Sequence, residues 1–220
     1  MKKPKIFIAC DTTNINKVKK IINQSQSTKI IIGYKFGLEF MNSKNGRQFI
    51  SKLKKKIIFI DLKLNDTVNT MKSAVKALRD LKINYLTVHI SSGLEALRSV
   101  KKVSGSIKII GVTTLTSLNN KDLKLIGYSR SVKNLVLHQA KLAKKAALDA
   151  LVCSPYEVNY VRKIFKKEII TPGVQIGKRN YDQKRSMEAN KVKSDWLVIG
   201  RAITRGNIKK NIQNLYKKLN

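Results

Sequence analysis

The chain contains few of the residues that build disulfide or metal frameworks. Its 220 residues include two cysteines, two histidines and three prolines. Cys10 and Cys153 stand singly and far apart, which argues against a disulfide framework and against a zinc site. No apolar run approaches the ~20 residues that a transmembrane helix needs. The basic N-terminus leads into a short apolar run, 6–10, without the pattern of a signal peptide. We therefore expect a cytoplasmic protein with no membrane partner.

Acidic residues are also scarce. Thirteen Asp and Glu stand against 46 Lys and Arg, which gives a formal net charge of +33. Such a charge is typical of proteins that bind nucleic acids or anionic surfaces. The lysines, however, are dispersed along the chain, as in 17–20 and 52–56, where exposed helix faces are expected. We interpret most of the charge as a solvated surface, and expect no specific nucleic-acid partner. The field should still attract anionic substrates.

Apolar runs alternate with amphipathic helical segments along the whole chain. The runs are rich in Ile, Val, Leu, Phe and Tyr and mostly lack polar alternation, as strands buried on both faces do. Helical patterns such as 70–81 and 132–147 lie between them. Eight such units in 220 residues predict an α/β fold, a (β/α)8 TIM barrel forming one domain over 1–220, with a doubly wound open sheet as the alternative. The predicted strands are 5–10, 29–35, 57–62, 85–90, 107–112, 149–153, 168–171 and 196–200.

The most informative stretch is Asp-Leu-Lys-Leu-Asn-Asp at 61–66, directly after the apolar run 57–60. In an extended segment, side chains at i and i+2 point to the same face. Asp61 and Lys63 should therefore share a face at the carboxyl end of a strand, where barrels carry their chemistry. A buried lysine beside a carboxylate keeps its proton, because the opposite charge favours the charged form. The pair thus predicts a positioned proton donor.

Charged or polar residues follow most other predicted strands, and two loops at that end, 114–130 and 173–184, are long enough to be lids. His89 and His138 we interpret as structural. The strand-end residues are Asp11, Lys35, Asp61 with Lys63, His89 with Ser91, Thr113, Ser154, Thr171 with Gly173, and Gly200 with Arg201.

Several of these segments, in this order, resemble orotidine 5′-phosphate decarboxylase of the bacterial type. The D-x-K-x-x-D core followed by Asn-Thr is fairly specific, and the closing Gly-Arg-x-Ile-Thr is moderately so. The matching segments are 8–11, 35–37, 61–70, 115–117, 152–155, 171–174, 182–183 and 198–204.

The resemblance implies a homodimeric barrel that converts orotidine 5′-phosphate to uridine 5′-phosphate and carbon dioxide in de novo pyrimidine biosynthesis, with no metal or other cofactor. It implies a catalytic array of Lys35, Asp61 and Lys63, completed by Asp66 reaching into the other subunit's site, with Lys63 as the proton donor. The substrate-binding positions that it implies are Asp11, Lys35 and the partner chain's Thr70 for the ribose, Thr116 and Ser117 for the pyrimidine, and Gln175, Gln183, Gly200 and Arg201 for the phosphate.

Three departures from the family pattern bear on this site. Gln175 stands where the bacterial pattern has an arginine, and Arg179 in the same loop could replace that arginine. Thr67 replaces an apolar residue that would line the partner's site, and the usual Thr-Pro near 186–187 is missing. None of these removes a member of the charged array.

Two alternatives compete with this interpretation. Magnesium-dependent sugar-phosphate decarboxylases and hexulose-phosphate synthases share the barrel and D-x-K-x-x-D, but they usually have an acidic residue in place of Lys35. A basic, non-catalytic nucleic-acid-binding protein would account for the charge of +33, but not for carboxylates placed at strand ends.

Overall fold

The computed structural model describes residues 3–175 and 187–219. Within these residues, eight parallel strands and their helices form a closed barrel. The barrel strands are β1 (Lys5–Ala9), β2 (Ile31–Gly37), β3 (Ile57–Leu64), β4 (Tyr85–His89), β5 (Lys108–Val112), β6 (Ala150–Val152), β7 (Glu168–Thr171) and β10 (Trp196–Ile199), and the short strands β8 (Val174–Gln175) and β9 (Met187–Glu188) pair beside it.

Barrel strands that follow one another along the chain are neighbours in the barrel, with β10 next to β7. The barrel closes where β1 pairs with β10. The predicted (β/α)8 barrel is confirmed, and the open sheet is wrong because this sheet has no edge. Each predicted strand overlaps an observed one, with the largest displacement at β2. The helices are α1 (Ile15–Gln24), α2 (Leu38–Met41), α3 (Gly46–Lys52), α4 (Val68–Ala77), α5 (Leu94–Val103), α6 (Asn120–Leu125), α7 (Val132–Lys145), α8 (Val158–Ile164), α9 (Arg201–Thr204) and α10 (Ile208–Leu219).

The two long loops predicted at the carboxyl ends of the strands are only partly loops. The segment 114–130 contains α6, which Asn119 caps through a reciprocal bond with Asp122. In 173–184, strand β8 occupies the first positions, and 176–184 lie outside the described residues. No helix among the described residues is both long and apolar enough to cross a membrane.

Amphipathic helices wrap the barrel. In α1, Val18, Ile21 and Ile22 are buried against the strands, and Asn14 caps the helix by accepting from the Lys17 amide at 3.0 Å. The lysines of the same helix are on the exposed face. Burial of each large aliphatic side chain contributes about 1.5–3 kcal/mol, so the apolar stripe is what holds the helix in place.

At the amino-terminal end of the barrel, three residues that each directly precede a strand make the same kind of hydrogen bond. Asn84, Asp149 and Asp195 each accept a hydrogen bond from a backbone amide at the start of the preceding barrel strand, at 2.8 Å. Lys101 neutralises Asp149, and Arg162 neutralises Asp195. Two of the scarce carboxylates are thus used to fix strand register.

The inside of the barrel near its base is filled by aromatic rings. Phe7 stacks on Trp196 with ring centroids 4.1 Å apart and meets Phe59 and Tyr85 edge-on. The rings have room because position 33 is glycine: a Cβ there would lie 2.6 Å from the Phe7 ring. A larger residue at position 33 would displace the stacked pair.

Glu168 connects this aromatic layer to the lysines around it. Its carboxylate accepts hydrogen bonds from Tyr85 Oη at 2.9 Å, Lys108 Nζ at 3.0 Å and Trp196 Nε1 at 3.2 Å, and Lys5 Nζ lies 3.5 Å away. Burial works to raise the pKa of Glu168, but these donors outweigh burial and lower it. The carboxylate therefore joins four other strands at the base of the barrel.

We predict that Glu168→Gln lowers the free energy of unfolding by about 1–3 kcal/mol, because several donors lose a charged acceptor. Glu188 forms an exposed ion pair with Lys191, so the matched variant Glu188→Gln should lower the free energy of unfolding by no more than about 1 kcal/mol. Urea unfolding measures both.

The pH dependence gives a second readout of the same change. Since the folded-state pKa of Glu168 is lowered, its contribution to stability is present above the unfolded-state pKa and is lost as the pH falls through the folded-state pKa. The difference between wild type and Glu168→Gln should therefore shrink in acid. A difference that is constant with pH would contradict this account.

Candidate active site

The end of β3 is irregular where the charged residues begin. The pairing register with β4 shifts between Ile60 and Leu64, and Lys63 has a φ of 50°. This left-handed backbone is uncommon outside glycine and costs of order 1–3 kcal/mol. The Lys63 amide donates to Thr87 Oγ1 at 2.9 Å, which holds it in this conformation. Asp61 and Lys63 are adjacent as predicted, but they meet in an irregular segment at the end of β3 and not on a regular pleat.

Four side chains form an alternating chain of charge at the carboxyl ends of β1, β2 and β3. Lys35 Nζ lies 3.0 Å from Asp11 Oδ1 and 3.6 Å from Asp61 Oδ2, and Lys63 Nζ lies 2.9 Å from the same Asp61 oxygen. The side chains of Lys35 and Asp61 are each 12% exposed, that of Lys63 is 35% exposed and that of Asp11 is 58% exposed. The array therefore runs from a dry centre to two ends that face solvent.

The charges in the centre support one another. Burial tends to lower the pKa of Lys35, but Asp61 and Asp11 outweigh it and raise that pKa. Burial tends to raise the pKa of Asp61, but Lys35 and Lys63 outweigh it, with help from Thr87, and lower that pKa. At neutral pH both groups are therefore charged.

Thr87 is a member of the site that the sequence interpretation missed. It is fully buried in β4, and its hydroxyl donates to Asp61 Oδ1 at 2.9 Å while accepting from the Lys63 amide. The signal was available: Tyr85 and Thr87 alternate with apolar residues, and Thr87 is the polar residue two positions before His89.

His89 ends β4 close to the same cluster. Burial lowers the pKa of its imidazole, the nearby Lys63 ammonium lowers it further, and Asp61 opposes the shift only in part. The ring is therefore neutral at pH 7. A neutral imidazole adds no further positive charge beside the lysine.

Asp66 and Thr70 lie outside this cluster within the chain. Asp66 is exposed, and its Oδ1 accepts from the Thr67 amide at 2.6 Å. The hydroxyls of Thr67 and Thr70 are 3.0 Å apart at the start of α4, and both residues are exposed. The structure thus presents these residues on the surface, and among the described residues it does not pair Asp66 with Lys35 or Lys63.

The remaining predicted positions are spread over other strand ends. Thr116 and Ser117 lie in a turn after β5 that the Leu118 amide closes by donating to the Leu115 carbonyl at 3.0 Å. Gly200 follows β10 directly and precedes α9, whose first residue, Arg201, is exposed. Gln175 belongs to β8, paired with Glu188 of β9, while Gln183 and Arg179 lie outside the described residues.

The fold and the cluster together define a class: a (β/α)8-barrel protein with alternating lysine and aspartate side chains at the mouth of the barrel. The chain belongs to the orotidine 5′-phosphate decarboxylase / HUMPS family, whose model matches residues 4–212.

Curated relatives agree with this assignment. The orotidine 5′-phosphate decarboxylase of Wolbachia sp. subsp. Brugia malayi (strain TRS) is 39% identical over 224 residues, which cover 97% of each chain. That of Buchnera aphidicola subsp. Acyrthosiphon pisum (strain Tuc7) is 39% identical over 213 residues, covering 91% of this chain and 89% of the relative. The family predicted from the motifs is confirmed.

Solved structures agree on the fold. The crystal structure of orotidine 5′-phosphate decarboxylase from Lactobacillus acidophilus superposes with a TM-score of 0.84 at 28% identity, and the match covers 100% of both chains. The Methanocaldococcus jannaschii orotidine 5′-monophosphate decarboxylase, complexed with inhibitor BMP, superposes with a TM-score of 0.80 at 22% identity and covers 100% of both chains.

We predict that Thr87→Val raises the pKa of Asp61, because the carboxylate loses a hydrogen-bond donor. The variant should also lower the free energy of unfolding by about 1–3 kcal/mol, since the Lys63 amide loses its acceptor. A carboxyl ¹³C NMR titration gives the pKa, and urea unfolding gives the stability.

Thr87→Ser is the matched control, because it keeps the hydroxyl and should keep the pKa of Asp61 low. The lowered folded-state pKa contributes stability above the unfolded-state pKa, and that contribution is lost as pH falls through the folded-state pKa. Thr87→Val should therefore lose less stability on acidification than wild type. An unchanged pKa of Asp61 in Thr87→Val would show that the hydroxyl has no such role.

Proposed function

We propose that this protein is a carboxy-lyase that converts orotidine 5′-phosphate to uridine 5′-phosphate and carbon dioxide in pyrimidine biosynthesis. The observation that carries the proposal is the chain of ion pairs from Asp11 through Lys35 and Asp61 to Lys63. It lies at the end of the barrel where such folds carry their chemistry. The relatives that span most of the chain are orotidine 5′-phosphate decarboxylases.

Lys63 is the proposed proton donor. Loss of carbon dioxide leaves a carbanion on the pyrimidine, and a fixed ammonium stabilises developing negative charge best in a preorganised site. The Lys63 backbone is held by Thr87 and its ammonium by Asp61. The group therefore needs little rearrangement to face the carbanion and deliver its proton. Its side chain is exposed enough to reach a substrate in the mouth.

Asp61 has two proposed effects. It anchors both lysines, and its lowered pKa supports a negative charge facing the substrate carboxylate. That like-charge contact would be relieved when carbon dioxide leaves. Ground-state destabilisation of this kind is contested, so the larger contribution is assigned to the preorganised lysine.

The substrate would lie across the strand ends that surround the array. Asp11 and Lys35, already paired to each other, are proposed to hold the ribose hydroxyls. Thr116 and Ser117 are proposed to contact the pyrimidine from their turn. The proposed phosphate-binding residues are Gln175, Gln183, Gly200 and Arg201, with Arg179 as the replacement for the arginine that Gln175 displaces.

Asp66 and Thr70 are proposed to act in the site of a second copy. Both are exposed at the start of α4, and Asp66 has no link to its own Lys63 among the contacts of the described residues. A carboxylate facing a partner's Lys63 would complete the alternation of charge. We propose accordingly a single-domain homodimer working in the cytoplasm, with no specific nucleic-acid or membrane partner.

Lys35 separates this proposal from the magnesium-dependent alternative in the same family. Its ammonium is buried between two carboxylates that raise its pKa. An acidic residue at that place would leave three carboxylates together, a set that calls for a divalent cation. With Lys35 present, the negative charges are already balanced, and we propose that no metal or other cofactor is needed.

The purified protein is expected to turn over orotidine 5′-phosphate at an undiminished rate in excess EDTA, as followed by loss of substrate absorbance. Lys63→Ala should reduce kcat by at least ~10³-fold with the far-UV circular dichroism unchanged, since proton donation alone is worth about 10²–10⁴. Lys144→Ala, an exposed lysine on α7, is the matched control and should retain full activity.

Two outcomes would reject parts of this proposal. Activity that EDTA abolishes and magnesium restores would favour the sugar-phosphate enzymes of the family. More than a tenth of wild-type activity in Lys63→Ala would remove Lys63 from the role of proton donor.

A site shared across a dimer predicts complementation. Lys63→Ala and Asp66→Ala should each be inactive alone, whereas their mixture should recover activity after subunit exchange. In the heterodimer one site carries both substitutions and the other carries neither. Random exchange of equal amounts makes about half of the dimers heterodimers, so about a quarter of wild-type activity should return. Native mass spectrometry verifies the exchange. No recovery in a verified heterodimer would mean that Asp66 acts within its own chain.

A further inference from the structure

A cavity lies away from the candidate active site, where the end of α1 and the segment leading to β2 meet α10. Its volume is about 900 Å³, within the range of small-molecule sites. Lys29 on its wall precedes Lys35 by six residues, roughly 20 Å along an extended chain. The cavity is thus separate from the ion pairs at the mouth of the barrel.

The charge around this cavity is of one sign. Three of its lining residues are lysines, Lys29, Lys209 and Lys217, and none of its lining residues is acidic. Among residues 3–175 and 187–219, none of these three ammonium groups has an ion-pair partner. Like charges around a concave surface repel each other and focus the potential inside it. A bound anion would relieve that repulsion.

The walls of the cavity are held by local hydrogen bonds. Gln26 Nε2 donates to the Ile22 carbonyl at 2.8 Å and so closes the end of α1. Ser27 Oγ accepts from the amides of Lys29 and Ile30 at 3.1 and 3.2 Å. The lysine that enters the cavity from this side therefore stands on a fixed turn, which reduces the ordering cost of binding.

The other lining groups suit a flat polar ring. Tyr216 presents its ring beneath Lys29, whose Nζ lies 5.2 Å from the ring centroid. Gln24 and Gln213 also line the cavity, and the amide of a glutamine side chain can offer both a donor and an acceptor to the edge of a heterocycle. Aromatic rings next to cationic groups are the usual platform for a nucleobase and its phosphates.

We propose that this cavity binds a nucleoside polyphosphate, with the three lysines on the phosphates and Tyr216 and the two glutamines beside the base. The size of the cavity, its single sign of charge and its aromatic wall all match this class of ligand. The proposal does not depend on the decarboxylase activity, because no residue of the ion-pair array takes part.

Isothermal titration calorimetry with ATP and with inorganic tripolyphosphate tests the proposal. The double variant Lys29→Gln/Lys209→Gln should weaken ATP binding at least about tenfold through lost charge-assisted contacts. The control Lys141→Gln/Lys144→Gln removes the same charge from exposed positions of α7 and should change it less than about twofold. Hydrogen-exchange mass spectrometry should show ATP-dependent protection of 23–30 and 208–217.

The aromatic ring of Tyr216 provides a second test, through the difference in affinity between ATP and tripolyphosphate. ATP should bind at least about fivefold more tightly than tripolyphosphate, and Tyr216→Leu should remove most of that difference. Equal losses in the cavity and control variants would mean attraction to the whole surface, and would overturn the site. Equal affinities for ATP and tripolyphosphate would overturn the nucleotide assignment, as would tighter binding of a single-stranded RNA decamer that protects the same segments. Protection confined to the mouth of the barrel would place the nucleotide in the decarboxylase site instead.

Discussion

The carboxylate of Asp61 is the point on which the rest of the site depends. One oxygen lies 2.9 Å from Lys63 and 3.6 Å from Lys35, and the other accepts from Thr87 at 2.9 Å. This single group ties together the ends of β2, β3 and β4. Without it, Lys63 would lose its ion-pair partner, and the buried Lys35 ammonium would keep only Asp11, whose side chain faces solvent. A lysine that is buried with fewer opposite charges loses its proton more easily. A neutral lysine could not serve the proposed chemistry.

The sequence predicted most of the barrel because buried parallel strands and amphipathic helices leave strong local patterns. It also predicted the pairing of Asp61 with Lys63, since both follow one strand. The irregular backbone at the end of β3 left no such pattern, because the left-handed conformation of Lys63 depends on a hydroxyl from β4. Alternation along β4 did mark Thr87 as an inward polar residue, but local sequence could not identify its partners, Asp61 and the Lys63 amide, because they lie on the neighbouring strand. Asp66 is a different case, since its proposed partner belongs to another chain.

Four of the 13 acidic residues lie where several cations or amides converge. Asp61 forms ion pairs with two lysines at the mouth of the barrel. Glu168 forms ion pairs with two lysines at the base and accepts hydrogen bonds from two aromatic side chains. Asp149 and Asp195 each hold a strand amide together with one cation. In a chain with a net charge of +33, each carboxylate so placed has a large effect on the local potential. At the base of the barrel these carboxylates stabilise the structure, and at the mouth Asp61 holds the lysines of the proposed chemistry.

Closure of the barrel by β1 against β10 also governs how the chain reaches its native state. Ile6, Phe7 and Ile8 pair with Leu197, Val198 and Ile199, so the first strand finds this neighbour almost the whole chain length away. Because β10 is the last barrel strand to be synthesised, the edge of β1 that it covers has no native partner until β10 emerges from the ribosome. An open apolar edge is a template for pairing with other chains. The dense positive charge of the nascent chain would then keep such intermediates apart until the last strand arrives.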